Sequence, residues 1–360
     1  MDFSLSADQR ALQDSVTRVL GDVCKLARVR AFAESDEPVA RDVWAALSEL
    51  GVPAILVPEA QGGLGLTLLD AALVSEALGA HAAPTPFLGS ALAVMALRQA
   101  GGGSRDLAGL ASGETIAAVA LTENLSGARD GAGLSVKDQT ISGTSLFVID
   151  GAAPGLVVCA TPGGGLVLLE GQAAGVTLTP MPTIDRTRRL AELRCDGAQC
   201  AVLPGGNETP PAVALSRVRD AAYVLLAADM LGASQTMLTQ SVAYAKERVQ
   251  FGRTIGSFQA VKHLCAEMAA RLEPCRALVW YAAHAFDEGL ADAPLAAAHA
   301  KAHLSEVSRF VARTATEVHG GMGFTDLLGL HYWFKRVGLD RQLLGGPEQL
   351  RRQAAKLQGL

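Results

Sequence analysis

The chain has 360 residues, 49% hydrophobic, 19% charged and 5% aromatic, with a net charge of −5. That length suits two or three domains of about 100–200 residues each, and the abundance of Ala and Leu favours helices packed through small and aliphatic side chains. Mild acidity, with no long basic run or basic, aromatic-rich stripe, argues against a nucleic-acid binder.

The opening residues carry no basic segment leading into an apolar core, and no apolar run approaches the ~18 residues that span a bilayer. A cytoplasmic protein without a membrane partner is expected. The six cysteines, Cys24, Cys159, Cys195, Cys200, Cys265 and Cys275, form no CxxC pair and have no histidine cluster nearby. They read as buried free thiols, and no metal site is expected.

Ser6 followed by Gln9 has the form of a capping box, and Leu12, Val16, Val19 and Leu20 recur behind it at helical spacing. A second helix is predicted from Asp42 to Leu50, stopped by Gly51-Val52-Pro53. A glycine-rich loop from Pro58 to Gly65 precedes two further helices, Leu68 to Leu78 and Phe87 to Ala100, the latter ended by Gly101-Gly102-Gly103. From Ile116 the pattern turns to short runs rich in Val, Ile and Thr: Ile116–Thr122, Gln139–Ile149, Gly155–Ala160, Leu166–Leu169, Val176–Thr179 and Leu190–Cys195. Such spacing describes a compact antiparallel β-domain. Pro204 to Pro211 reads as a linker, and long helices resume at Val213 to Glu247, Phe258 to Glu288 and Leu295 to His319. The order is α, then β, then α, with expected domains at 1–115, 116–205 and 206–360.

The run from Tyr244 through Arg248, Phe251, Gly252 and Ile255 to Phe258-Gln259 is the end of one long helix, a Gly-punctuated turn and the start of another. Arg248 there can hold a phosphate bidentately, and Gln259 can hydrogen-bond a planar ring. Taken alone, the same run is also read as a helical hairpin with a solvated Arg.

This run closely resembles the Y-x-x-x-R-x-x-F-G-x-x-I-x-x-F-Q pattern of the acyl-CoA dehydrogenase family, which binds the FAD of a neighbouring subunit. The resemblance implies that Arg248 contacts the FAD pyrophosphate, that Phe251 packs on the cofactor, and that Phe258 and Gln259 lie along its adenosine end. Glu317 to Gly323 is similar to the family's Q-x-x-G-G-x-G, with Glu317 in place of Gln and Gly320-Gly321 as the paired glycines. Ala120 to Asp130 resembles A-L-T-E-P-x-A-G-S-D, which lies against the flavin. Thr122 is kept, Asn124 replaces Pro, and Ala128 replaces the Ser that contacts acyl-CoA. Ser142 to Gly151 is similar to the strand that flanks the flavin's reactive edge, with Phe147 for Trp and Ile149 at the hydroxyl position. The fold implied is α+β: an N-terminal helical domain, a middle antiparallel β-domain and a C-terminal four-helix bundle that pairs subunits into dimers or tetramers.

The activity implied is α,β-dehydrogenation of an acyl-CoA, with FAD as cofactor and electrons passed to an electron-transfer flavoprotein. That reaction needs a base for the α-proton. The family's two positions for its Glu fall here on Gly345 and, counting back from Arg248, on Ala222. Asp220 is about 200° around the helix from Ala222 and is expected to face away, and Glu348 reaches the site only if its turn differs. Both read as solvated or capping carboxylates, and Glu348 is kept as the candidate base. The Leu-Leu-Gly-Gly-Pro ending from Leu343 resembles the partner subunits of two-gene acyl-CoA dehydrogenases, in which the other subunit supplies the Glu and bulky esters, including steroid side chains, are substrates. A non-catalytic partner that completes a flavin site is one alternative. A flavin oxidase or monooxygenase acting on a non-CoA substrate is another.

Overall fold

The structure, a computed structural model, describes residues 4–100, 104–204 and 210–360. Six helices come first: α1 (Ala7–Val23), α2 (Leu26–Glu34), α3 (Arg41–Glu49), α4 (Leu68–Ala80), α5 (Phe87–Ala100) and α6 (Ser104–Ala111). The predicted capping box forms, with Gln9 N–H donating to Ser6 Oγ at 3.0 Å and Ser6 N–H to Gln9 Oε1 at 3.0 Å. Gly51 takes φ +76° after α3, as a helix stop there requires. The predicted stop Gly101–Gly103 and the middle of the predicted linker, Gly205–Thr209, lie outside the described residues.

The middle of the chain contributes β1 (Ala117–Ala120), a short helix α7 (Thr122–Ser126), β2 (Gly133–Lys137), β3 (Thr140–Ile149), β4 (Leu156–Ala160), β5 (Leu166–Glu170), β6 (Val176–Met181), β7 (Leu190–Gln199) and β8 (Ala201–Leu203). They form one sheet in the order β6-β7-β3-β1-β4-β5-β8, with β2 paired to β3. The sheet is mixed, not purely antiparallel, because β1 and β4 pair in parallel. β3 runs antiparallel to β1, so the turn after it sends β4 back along β1 on the far side. Side chains alternate across the sheet. Leu156, Val158 and Ala160 join the main core beneath the helices, while Val157 and Cys159 close a second core with Leu193, Cys195 and Cys200. Five of the six free thiols are buried, two of them beside Cys159.

The remaining helices are α8 (Pro211–Glu247), then the small hairpin β9 (Val249–Gln250) and β10 (Arg253–Thr254), α9 (Gln259–Asp287), α10 (Ala293–His319), α11 (Leu330–Asp340) and α12 (Pro347–Leu357). Contrary to the sequence reading, α8 is long and apolar enough to cross a membrane, but 89% of its apolar window is buried inside the protein. It is the central core helix, packed against α4, α5, α9, α10 and α11. Two glycines permit this. A Cβ on Gly79 of α4 would overlap the Asp229 carbonyl, and one on Gly232 of α8 would overlap the Glu76 carbonyl.

Where the three parts meet, Asp229 of α8 accepts two hydrogen bonds from Arg336 (Nε 2.8 Å, Nη2 2.7 Å) and one from Arg188 (2.8 Å). All three side chains are buried. Arg336 also donates to the Ala83 carbonyl after α4 and to Thr187 Oγ1 before β7, and Arg188 Nε lies 3.1 Å from Asp340. Burial opposes ionisation of Asp229, but the two guanidiniums outweigh it and hold the carboxyl down to about 2. Substitution of Asp229 by Ala strands two cations in a dry interior and is expected to lower the unfolding free energy by about 3–5 kcal/mol. Urea denaturation measures it, and a loss under about 1 kcal/mol, the range of exposed pairs, would show that the junction is not held by this carboxylate.

Candidate active site

A cavity of about 620 Å³ opens between α7 with the loop after it, the middle of β3, and the turn after α11. Thr122, Glu123 and Ser126 line one side, Leu146 and Phe147 another, and Gln342 to Leu344 a third. The predicted strand to Thr122 stops at Ala120, and Thr122 begins α7. Its Oγ1 and the Ser126 Oγ are buried with no hydrogen-bond partner. Two such groups beside a half-buried aromatic ring fit a planar, polar-edged ligand.

Phe147 is presented by a defect in β3. The β3–β7 register shifts between Ser145 and Val148, and Phe147 takes φ +57°, rare for an aromatic residue. Glu123 fixes the defect by accepting from Ser145 Oγ and Leu146 N–H, both at 2.6 Å, and Phe147 N–H points at Met181 Sδ at 3.4 Å. Ile149, two residues on, does not reach the cavity. It is fully buried and pairs with Val119 and Leu190, which makes it plain β-core.

The other residues expected at the cofactor line no part of this cavity. They sit at one end of the helical bundle, where Tyr244 near the end of α8 packs on His319 at the end of α10, ring centroids 4.7 Å apart. Beyond α8, Arg248 and Gln259 are exposed, and Phe251 is 91% exposed at φ +53° with its ring edge-on to Phe258 at 6.1 Å. Beyond α10, Gly320 and Gly321 are exposed, Gly320 at φ +56°. Glu317 is exposed too and faces the groove between α9 and α10 with Arg309 and Arg313. Ile149 apart, the expected cofactor residues thus fall in two places, Thr122 and Phe147 at the cavity and the others on the exposed end of the bundle.

Residues 6–114 match the acyl-CoA dehydrogenase N-terminal domain, and residues 220–358 match the acyl-CoA dehydrogenase C-terminal domain. The chain is 34% identical to acyl-CoA dehydrogenase IpdE2 of Mycolicibacterium smegmatis, over 98% of this chain and 100% of that protein. The chain belongs to the acyl-CoA dehydrogenase family. Among solved structures it is similar to a variant of the Tcur3481–Tcur3483 steroid acyl-CoA dehydrogenase (TM-score 0.89, 28% identity, 98% of each chain). It is also similar to the ChsE4–ChsE5 complex from Mycobacterium tuberculosis (TM-score 0.89, 26% identity, 100% of each chain). It is an acyl-CoA dehydrogenase with FAD as its cofactor, and the orphan hydroxyls of the cavity fit that group.

Neither position at which this family carries its catalytic acid holds one. Ala222 is fully buried in α8. Gly345 lies at φ +119°, and a Cβ there would stand 3.3 Å from Gln349 Oε1 and 3.8 Å from the Tyr223 hydroxyl. Glu348 turns to solvent, its side chain 66% exposed and 3.5 Å from Arg341. Asp220, expected to be solvated, is instead buried and paired with the half-buried Arg219 at 2.8 Å. Burial raises its carboxyl above the usual range, against the pull of Arg219.

Lys301 of α10, invisible to sequence reading, lies behind the empty position. It is fully buried and donates to the Gly345 carbonyl at 2.6 Å. Burial pushes its ammonium down from 10.5 to about 7, against the attraction of Asp340. The unfolded chain therefore binds the extra proton between about pH 7 and pH 10.5, so folding stability attributable to Lys301 rises with pH across that window, by up to about 1.4 kcal/mol per pH unit. Denaturation of the wild type and Lys301→Met between pH 6 and pH 9.5 is expected to show the wild type gaining on the variant above pH 7. Parallel profiles would contradict a buried, titrating lysine.

Proposed function

We propose that this chain is one subunit of a heteromeric acyl-CoA dehydrogenase that α,β-desaturates a bulky CoA thioester, of the steroid-fragment kind, and passes electrons to an electron-transfer flavoprotein. The observation that carries this reading is Gly345. A side chain at φ +119° is strained whatever the space around it, so the backbone of this turn, and not only its residue type, rejects the acid. Two structural neighbours are named as two-component or steroid enzymes, which supports both the shared site and the substrate class. Six free thiols support a reducing, cytoplasmic setting.

In this reading FAD supplies the acceptor for the β-hydride when bound. Thr122 would donate to the polar edge of the bound flavin and Phe147 would pack beside it. Arg248, Phe251, Phe258 and Gln259, with the exposed backbone of Gly320 and Gly321, would hold the dinucleotide of the neighbouring subunit, with Glu317 turned aside into its groove. The α-proton is taken by a Glu of the partner subunit, since Asp220 and Glu348 face elsewhere.

The test is to isolate the chain alone and with a Glu-bearing homologous subunit, and to add acyl-CoAs anaerobically with ferrocenium as acceptor. Flavin bleaching and turnover are expected only in the pair. Turnover by the chain alone would overturn the shared-site reading, and rapid reoxidation by oxygen with a hydroxylated product would favour the monooxygenase alternative. Gly345→Glu in the isolated chain is expected to create no turnover and to cost about 1–3 kcal/mol in stability from backbone strain. An active, equally stable Gly345→Glu protein would show that the turn does not exclude the acid.

A further inference from the structure

The loop at the mouth of the cavity carries an arginine that the proposed chemistry leaves unused. Arg129 lines the cavity with Glu123 and Phe147, and its guanidinium lies over the Phe147 ring, 4.7 Å from the centroid. The ring beneath it is not free to move. Phe147 sits at a positive φ on the β3 defect, and Glu123 holds the two preceding residues with both carboxylate oxygens. Arg129 is exposed on the loop after α7, and its contact with the ring holds the charge beside the cavity while leaving its edge donors open to solvent.

Those donors have no anion to meet. Among the described residues no carboxylate lies within ion-pair distance of Arg129, and the acid that shares its cavity, Glu123, is already engaged. An unpaired guanidinium at the rim of a cavity, in a chain of net charge −5, is a built receptor for a negative group. We infer that Arg129 anchors an oxyanion of the substrate at the mouth of this cavity, either a carboxylate on the acyl body or a phosphate of its CoA handle. The inference rests on the acyl-CoA reading above. It assigns the loop a contact that Ala128, lacking the hydroxyl, does not make.

The FAD-loaded complex of the chain with its Glu-bearing homologous subunit is titrated with cyclohexylpropanoyl-CoA, its 3′-dephospho form, the corresponding pantetheine thioester, and the CoA ester with a carboxylate on the ring, following the flavin absorbance. Arg129→Gln is expected to weaken the ligand that carries the anchored oxyanion by roughly tenfold to a hundredfold and to leave its counterpart without that group unchanged. Loss confined to the ring carboxylate assigns the anchor to the acyl body, and loss confined to the phosphates assigns it to CoA. Arg129→Lys, which keeps the charge without the fork, is expected to fall between, and equal FAD content in all three proteins shows that the fold is kept. Arg129→Gln binding every ligand as the wild type does would overturn the anchor alone. A wild type that binds none of the four would overturn the acyl-CoA reading and the anchor with it.

Discussion

The carboxylate of Asp229 receives two guanidiniums at once, and because Asp229, Arg188 and Arg336 are all buried, none can release its partners without leaving a charge in a dry interior. Each belongs to a different part of the chain: Asp229 to the central helix α8, Arg188 to the approach to β7, Arg336 to α11. Arg336 adds the Ala83 carbonyl from the helical N-terminal part. Three layers that share no covalent proximity are thereby fixed in one register. Asp340, at the end of α11 and beside Arg188, carries this constraint to the turn that walls the cavity. The walls of the cavity thus depend on a cluster of charges that lines no part of it.

That turn shows why the missing acid is a property of backbone and not of one residue. Leu344 at φ +57° and Gly345 at φ +119° form a conformation that disfavours side chains, and Lys301 holds the Gly345 carbonyl from behind. A buried lysine is costly as a cation, and the carbonyl and Asp340 partly offset that cost. The space a carboxylate would need is instead bordered by the neutral groups of Gln349 and Tyr223, and Gln349 is itself tied to α7 through the Leu125 carbonyl at 2.8 Å. Reinstating the acid would require several neighbours to move.

Much of the fold was legible because its signals are local. The Ser6–Gln9 box, the Gly51 stop and the three long C-terminal helices each follow from a few adjacent residues, and the observed bounds differ from the expected ones by a residue or two. Strand β2 was not legible, since the β2–β3 turn places Asp138 and Gln139 at positive φ without the glycine that usually marks such hairpins. Helix α12 starts at Pro347, a residue suited to a first helical position, which is also the last residue of the Leu343–Pro347 motif. In the candidate site, Thr122 and Phe147 line one cavity, and both stand in runs whose neighbouring residues mark them. Arg129, Lys301 and the Asp229 junction were not, because each acquires meaning only from groups far away in sequence. Ile149 was placed by its position in the family pattern, and in the sheet it is buried β-core beyond the register shift at Ser145–Val148.

The remaining asymmetry lies between the cavity and the bundle end. At the cavity Glu123 holds the two residues before Phe147, whereas the bundle end carries Phe251 at 91% exposure and Phe324 at 81%, with Phe251 in a strained backbone region. Aromatic rings held in water at a conformational cost are characteristic of surfaces completed by something else. An Arg248 that makes no ion pair among the described residues suits a negatively charged occupant. The dinucleotide of the proposed neighbouring subunit would meet both demands, apolar and anionic, and an acid-free cavity is consistent with that same proposal.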